Sequence, residues 1–352
     1  MKNLKKYIIG FVFFIFSLIF IVIGFLWWNF YPPLPKESFQ PITKLKDVNT
    51  TLPSFLKVVS YNIHYGIGLD WNRKDKLKKE DFENRLDKIA EILSEINADI
   101  VLLQEVDFNS ERSQLINQAE YIAKRANYSY FSIAPHIRLK FHPNLQGMSG
   151  TISQGLAVLS KYEIKRNESY IFNYPSSVPF YIKWLYFPHG VQKNEIEFGN
   201  KTLTIFNVHL EPWCQETREK ESLFVKKIIN NTKTPIICGG DFNAIPQNTT
   251  NKMFFHLNDA PWFINRNKWD YRKDSTILNI QKIATFTEAI SDEKFLSDEK
   301  SSFTFPSNHP EEKLDYIFAG KNSKIMFGYV YKKAGIISDH LPLIAYIKIL
   351  EK

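Results

Sequence analysis

Asp241 and Asn243 stand two residues apart at the end of an apolar run, TPIICGGDFNAIP, residues 234–246. On a strand, side chains two apart share a face, so both are expected to point one way while Phe242 turns back into the core. The two glycines before them let a neighbouring backbone or a substrate come close. Four other apolar stretches carry side chains suited to metal or phosphate chemistry at one end. VVSYNIH ends in Asn62 and His64, IVLLQE in Glu105 and TIFNVHL in Asn207 and His209, while SDHLPLI opens on Asp339 and His340. Carboxylates bind hard cations and take up protons, and histidine changes charge near neutral pH.

Each piece taken singly has an ordinary reading. Gly-Asp-Phe-Asn is a common turn, because Asp and Asn bond their own backbone. Glu105 beside Gln104 suits a satisfied structural carboxylate, His209 a hydrogen-bonded core histidine, and Asp339 a local cap. Five such endings in one chain are harder to explain this way. If the strands lie side by side, their polar ends converge on one sheet edge, where α/β domains gather their ligand sites.

The elements that must position these residues alternate along the chain. KVVSYNIHYG reads as a strand, and DFENRLDKIAEILSEIN as a helix with Phe82, Leu86, Ile89, Ile92, Leu93 and Ile96 at helical spacing. DIVLLQEVD is a short continuous apolar run, the mark of a strand covered on both faces. SQLINQAEYIAKRA and TREKESLFVKKIINN read as helices. GLAVLSKY, KTLTIFNVHL, PIICGGDFN, KLDYIFAG and SDHLPLIAYIKI read as further strands. No repeat is visible and no Pro/Gly-rich gap divides residues 57 to 350, so a single α/β domain over 56–352 is expected.

Bulk composition fits an ordinary globular core rather than disorder. Of 352 residues, 44% are hydrophobic and only 14 are glycine. The net charge of +8 invites an anionic partner, yet Lys2, Lys5 and Lys6 precede the first apolar segment. Without them about +5 remains, a mild excess. Cys214 and Cys238 allow at most one disulfide and leave the compartment open. The sequons at Asn49, Asn127 and Asn230 carry little weight in an Asn-rich chain.

Residues 7–28 hold no charge over 22 positions, long enough to cross a bilayer as a helix. Tyr7 at one end and Trp27 and Trp28 at the other resemble interfacial belts. A cleaved signal peptide is the alternative, but WWNFYPPLP follows without a small-residue cleavage site, which favours an uncleaved anchor. The basic residues 1–6 then predict a cytoplasmic N-terminus, a single-pass span, and the large C-terminal domain on the non-cytoplasmic side. Residues 29–55, with Pro32, Pro33, Pro35, Pro41 and Pro53, read as an extended linker.

In their joint order, SYNIH, LLQEVD, LAVLSKY, NVHLE, GGDFN, LDYIF and SDHLP resemble the endonuclease/exonuclease/phosphatase superfamily across residues 57–347. That superfamily includes pancreatic-type deoxyribonucleases, apurinic endonucleases, neutral sphingomyelinases and inositol polyphosphate 5-phosphatases. The resemblance implies an α/β fold, a four-layer sandwich of two mixed β-sheets packed face to face with helices outside. It also implies divalent-metal hydrolysis of a phosphoester, with Mg²⁺ the expected ion and Mn²⁺ a substitute.

By the same match, Glu105 is the metal-binding glutamate, Asn62 binds metal or phosphate, and Asp339 is a second metal-side carboxylate. Asp241 matches the aspartate that orients or deprotonates the attacking water, and Asn243 the asparagine that holds phosphate or nucleophile. His340 matches the histidine that contacts phosphate and acts in acid/base catalysis, with Asp315 orienting it. His209 is available as general acid or phosphate ligand, as in deoxyribonucleases, sphingomyelinases and 5-phosphatases. Apurinic endonucleases differ at that place. They also carry an acid where this chain has His64, which is grouped with Asn62 on the substrate side. Abasic-site repair therefore ranks low.

The substrate is less constrained. WNRKDKLKK, residues 71–79, suits nucleic-acid phosphates or anionic headgroups, or simply a solvated loop. Residues 173–190, NYPSSVPFYIKWLYFPHG, suit lipid or stacked bases, or an aromatic strand pair in the core. Phosphodiesters, in nucleic acid or phospholipid, are favoured over the phosphomonoesters of inositol-phosphatase chemistry. No protein partner is expected. A catalytically inactive, membrane-tethered binding module on the same fold is the rival, and the intact set of acids, asparagines and histidines speaks against it.

Overall fold

The computed structural model describes residues 2–48, 53–69, 77–143, 150–179, 181–199, 201–250 and 270–350. Asn49 and most of the 71–79 loop lie outside the described residues.

Two seven-stranded sheets form the body. The first contains β1 (Glu37–Phe39), β7 (Glu163–Ile171), β8 (Gly190–Phe198), β9 (Lys201–His209), β10 (Ile236–Asp241), β11 (Thr287–Glu288) and β12 (Asp315–Gly320), in the order β1-β7-β8-β9-β10-β12-β11. The second contains β2 (Ile42–Lys44), β3 (Leu56–Asn62), β4 (Ile100–Asp107), β5 (Tyr130–His142), β6 (Gly150–Ser160), β13 (Ser323–Val330) and β14 (Leu343–Ile349), in the order β13-β14-β3-β4-β6-β5-β2. β3 runs parallel to β4, and β9 parallel to β10; the other pairings are antiparallel, so both sheets are mixed.

Alternation along the strands explains the layers. Leu56, Val58, Ile100 and Leu102 of one sheet meet Leu203, Ile205, Ile237 and Ile317 of the other in a shared core. The opposite faces of the same strands bury against helices. Val59, Val101 and Leu103 pack on Phe82, Leu86, Ile89 and Leu93 of α2 (Lys79–Ile96) and on Ile122 of α3 (Gln118–Arg125). Phe206, Cys238 and Phe318 pack on Val225 and Ile229 of α4 (Gln215–Asn231) and on Ile277 and Ile280 of α5 (Thr276–Gln281). The result is the expected αββα sandwich. Removing such faces from water is the main stabilising term.

A polar seam crosses the inter-sheet core. Asn207 accepts from Gln104 Nε2 at 2.7 Å and donates to the carbonyls of Leu103 and Ala157. It is fully buried, so it ties the sheets together as a satisfied amide rather than facing a substrate.

Ahead of the sandwich stands α1 (Lys2–Phe30), long and apolar enough to cross a membrane. Its residues are largely exposed until Asn29, which is buried against the domain. The segment expected as a linker is extended but not free. β1 adds to the edge of one sheet through β7, and β2 to the edge of the other through β5. Its prolines fall outside these two strands, so every strand residue keeps its donor.

The described residues between 173 and 189 are not a strand pair. They include a short 3-10 turn at Lys183–Leu185; Pro175, Pro179 and Pro188 remove the donors a ladder would need, and Gly190 opens β8.

Candidate active site

Strand register lines up the reactive side chains. In the first sheet Gly190 pairs with His209, His209 with Asp241, and Asp241 with Asp315, so four strands end in one row. The glycines of TPIICGGDFNAIP make that row possible. A Cβ on Gly240, whose φ is +148°, would lie 1.9 Å from the Val208 carbonyl oxygen of β9. One on Gly239 would meet Leu102 of the facing sheet at 3.0 Å. Both glycines thus serve close approach of protein to protein.

β10 ends at Asp241, so strand alternation does not extend to Asn243. Asn243 instead takes a left-handed φ of +48°. Its backbone N–H donates to Asp241 Oδ1 at 2.9 Å, and its side-chain amide donates to the Leu210 carbonyl at 2.8 Å. Phe242 turns into the core between Tyr316 and Phe318, as alternation requires.

The second sheet contributes from across the cleft. A bulge between Leu103 and Val106 of β4 gives Glu105 a φ of +53°, and this turns its carboxylate out of the ladder. Asn62 bridges the sheets: its Nδ2 donates to Glu105 Oε1 at 3.0 Å and lies 3.1 Å from Asp241 Oδ2. Its Oδ1 accepts from the His64 N–H.

His340 sits in the loop before β14. Its Nδ1 is 2.8 Å from Asp315 Oδ2, and its Nε2 is 3.6 Å from Asp241 Oδ2. His209 Nε2 approaches the same Asp241 oxygen from the other side at 3.7 Å. Asp339 is held by Ser338 Oγ and by His64 Nδ1, 3.2 Å away. Ser338 in turn donates to the Asn62 carbonyl, locking this loop onto β3.

The electrostatics separate the two histidines. Burial pushes His340 down, but the Asp315 and Asp241 carboxylates outweigh it and raise its pKa well above the ordinary value, so it is held as imidazolium. Burial, together with neighbouring histidines, drives His209 well below it, so that ring is neutral. Burial lifts the Asp241 carboxyl to about 7 against the pull of His340. An acid and a base of opposite tendency therefore share one buried oxygen. Such separation is a mark of acid/base sites.

Of the ten residues singled out in the sequence, nine meet here, and Asn207 is the exception, spent on the inter-sheet seam. His64, Glu105, His209, Asn243 and Asp339 line a cleft of about 870 Å³, and Asn62, Asp241, Asp315 and His340 lie buried behind that lining, joined to it through Glu105, Asn243 and His209. The sequence reading missed His136 of β5, His189 and Arg112. His189 packs edge-on against His209, with ring centroids 4.5 Å apart. His136 Nε2 would lie 2.8 Å from a Cβ on Gly190. Arg112 makes two bonds to Asp107 and stacks 3.9 Å over the Tyr65 ring. A lone histidine in APHIR or FPHG carries no signal until β5, β8 and β9 are known to share a cleft wall.

The donor set suits a hard cation. Glu105 faces the cleft with only one oxygen accepting a hydrogen bond among the described residues, and Asp339 lines the same cleft. Among the described residues no group of three or more His, Cys, Asp or Glu side chains is arranged to hold a metal ion by itself. Mg²⁺ does not need such a cage, since it is bound through one or two carboxylates with waters and substrate phosphates. Asn62 presents its nitrogen to the carboxylates, so in this arrangement it organises them rather than offering an oxygen.

Comparisons with known proteins identify the family and the fold. The family model for the endonuclease/exonuclease/phosphatase family matches residues 59–340, and the chain belongs to that family. Its fold is similar to that of an endonuclease/exonuclease/phosphatase from Beutenbergia cavernae, with 15% identity and a TM-score of 0.58, over 85% of this chain and 72% of that one. A family member from Bacteroides vulgatus matches at 15% identity and a TM-score of 0.53, over 84% of this chain and 100% of the other. D. rerio TDP2, solved with a single-strand DNA product, matches at 16% identity and 0.53, again over 84% and 100%. No curated protein sequence matches the chain.

Proposed function

We propose that the protein is a membrane-anchored, divalent-metal-dependent phosphodiesterase. The reading rests above all on the shared Asp241 oxygen, flanked by protonated His340 and neutral His209 at 3.6 and 3.7 Å. In this reading Asp241 orients the attacking water and accepts its proton. His340, charged and oriented by Asp315, donates to a phosphate oxygen, and His209 lies beside the leaving group. Asn243 caps Asp241 and fixes its rotamer through the 2.9 Å amide bond. Glu105 and Asp339 would hold Mg²⁺, or Mn²⁺ in its place, and Asn62 keeps the Glu105 and Asp241 carboxylates apart yet bridged. A cation bound there would supply neutralisation of phosphate charge and a lowered pKa for its bound water.

The anchor is α1, retained rather than cleaved, with the N-terminus cytoplasmic and the catalytic domain on the other side. Burial of Asn29 against the domain supports a helix that remains part of the folded protein. Full-length protein in detergent, assayed with Mg²⁺ on a soluble nitrophenyl phosphodiester, tests the reaction. Cleavage that survives EDTA, or that is unchanged in Asp241→Ala, defeats the mechanism. Protease access to the domain in intact cells tests the topology.

A further inference from the structure

α1 does not end in a free tether. Asn29 Nδ2 donates to the Phe141 carbonyl at 2.8 Å, and the Phe141 N–H donates back to Asn29 Oδ1 at 2.7 Å. This reciprocal pair fixes the helix to the far end of β5. Phe25 packs edge-on against the Phe141 ring, and Lys140 lies 5.3 Å from the Trp28 centroid. Phe30 packs on a small buried cluster of Ile137, Leu139 and Ile152.

Phe187 packs on that same cluster, and Phe187 lines the catalytic cleft. One patch of apolar side chains therefore joins the end of the helix to the cleft rim. His136, also in the cleft lining, lies five residues before Phe141 on β5, or roughly 17 Å at strand spacing. An α1 of 29 residues is about 44 Å long, close to the full thickness of a bilayer with its headgroups. Asn29 and Phe30 then sit in the headgroup layer on the domain's side. Arg138 and Lys140 are exposed at this end of β5, while Phe141 and Tyr181 are exposed at 38% and 57%. Basic and aromatic side chains together suit that layer.

We infer that the docked helix holds the cleft rim at Phe187 against the headgroup layer, and that the substrate is a phosphodiester carried by a membrane lipid of the same leaflet. This rests on the phosphodiesterase reading above and narrows it. The Asn29–Phe141 clamp sets the height of the site, so a headgroup reaches the cleft at Glu105 and His209, in front of Asp241 and His340, without its lipid leaving the bilayer. Water adds across the P–O bond, the phosphorus keeps one product as a phosphate monoester, and the leaving oxygen takes the proton.

The test uses the full-length chain in vesicles of phosphatidylcholine containing sphingomyelin or phosphatidylinositol, beside a soluble nitrophenyl phosphodiester and single-stranded DNA. The wild type is expected to cleave a vesicle lipid and the nitrophenyl ester. Asn29→Ala and Phe30→Ser are expected to lose at least tenfold on vesicle lipid and to stay within twofold on the soluble ester, which also shows that the variants are folded. A fluorophore on Tyr181→Cys, in a Cys214→Ser background, is expected to be quenched by spin-labelled headgroups in the wild-type background and less so with Asn29→Ala. Equal lipid turnover in the clamp variants, absence of quenching, or cleavage of DNA and the soluble ester without either lipid overturns the inference and leaves the phosphodiesterase reading standing. Failure on every phosphodiester overturns both.

Discussion

His340 Nδ1 and Asp315 Oδ2 are 2.8 Å apart, both buried, at the meeting of a loop and the strand beside Asp241. The aspartate fixes the ring so that Nε2 faces Asp241, and its charge counters the burial that would otherwise strip the proton.

Asp315→Asn should preserve the shape but remove that charge. Its effect on kcat/KM is expected to be a loss of about a hundredfold to ten-thousandfold, the usual span for general acid–base groups. The alkaline limb of the pH profile should also move down, because His340 is raised by Asp315 and loses its proton sooner without it. An unshifted alkaline limb would assign Asp315 a purely structural role.

Glu105→Gln keeps size and hydrogen bonding while removing the carboxylate proposed to hold the cation. Activity on a soluble phosphodiester should fall at least about a hundredfold, equivalent to nearly 3 kcal/mol of transition-state stabilisation. The Mg²⁺ concentration giving half-maximal rate should rise in the same variant. EDTA should abolish turnover in the wild type, and added Mn²⁺ should restore it. A Glu105→Gln protein with unchanged Mg²⁺ dependence counts against the assigned ligand.

Gly240→Ala tests the strand geometry beneath the site. The added methyl meets the Val208 carbonyl at 1.9 Å, at a φ that L-residues rarely adopt. A clash with backbone cannot be relieved by a rotamer, so a loss of about 3 kcal/mol or more is expected. Denaturant unfolding of the variant gives the number. Native-like stability would mean that β9 and β10 separate at little cost.

Much of this site was legible because it depends on strand ends. Asp241, Glu105, His209 and Asn62 each close an apolar run, and such runs are readable without an alignment. Asn207 has the same sequence signature as His209, two positions earlier, yet it is spent on the inter-sheet seam, bonded to Gln104. Only the packing of the second sheet separates the two. Asn243 was assigned to the site by an alternation that β10 does not continue, and it reaches the cleft through a left-handed turn instead. β1 and β2 were invisible as strands because three residues hold no period, and their partners lie over 80 residues away in sequence. His136 and His189 depend on the pairing of distant strands in the same way.

His136 provides a last prediction, on acid stability. Its Nε2 is buried and, among the described residues, has no hydrogen-bond partner, and the titratable groups that bear on it are His189 and Lys36, neither of them an acid. Burial, with those two, pushes its pKa down to about 3. Between that value and the unfolded value near 6.5, the unfolded chain binds a proton that the folded chain refuses. Stability therefore rises with pH through this window and is lost as the solution is acidified. At pH 5 the penalty is about 2 kcal/mol from this ring alone. His136→Gln should remove that part of the pH dependence, whatever it does to stability at neutral pH. Denaturant midpoints at pH 7.5 and pH 5 for both proteins give the comparison. Parallel losses in the two would show that the His136 ring takes up its proton in the folded state, and that the cleft wall around it admits water.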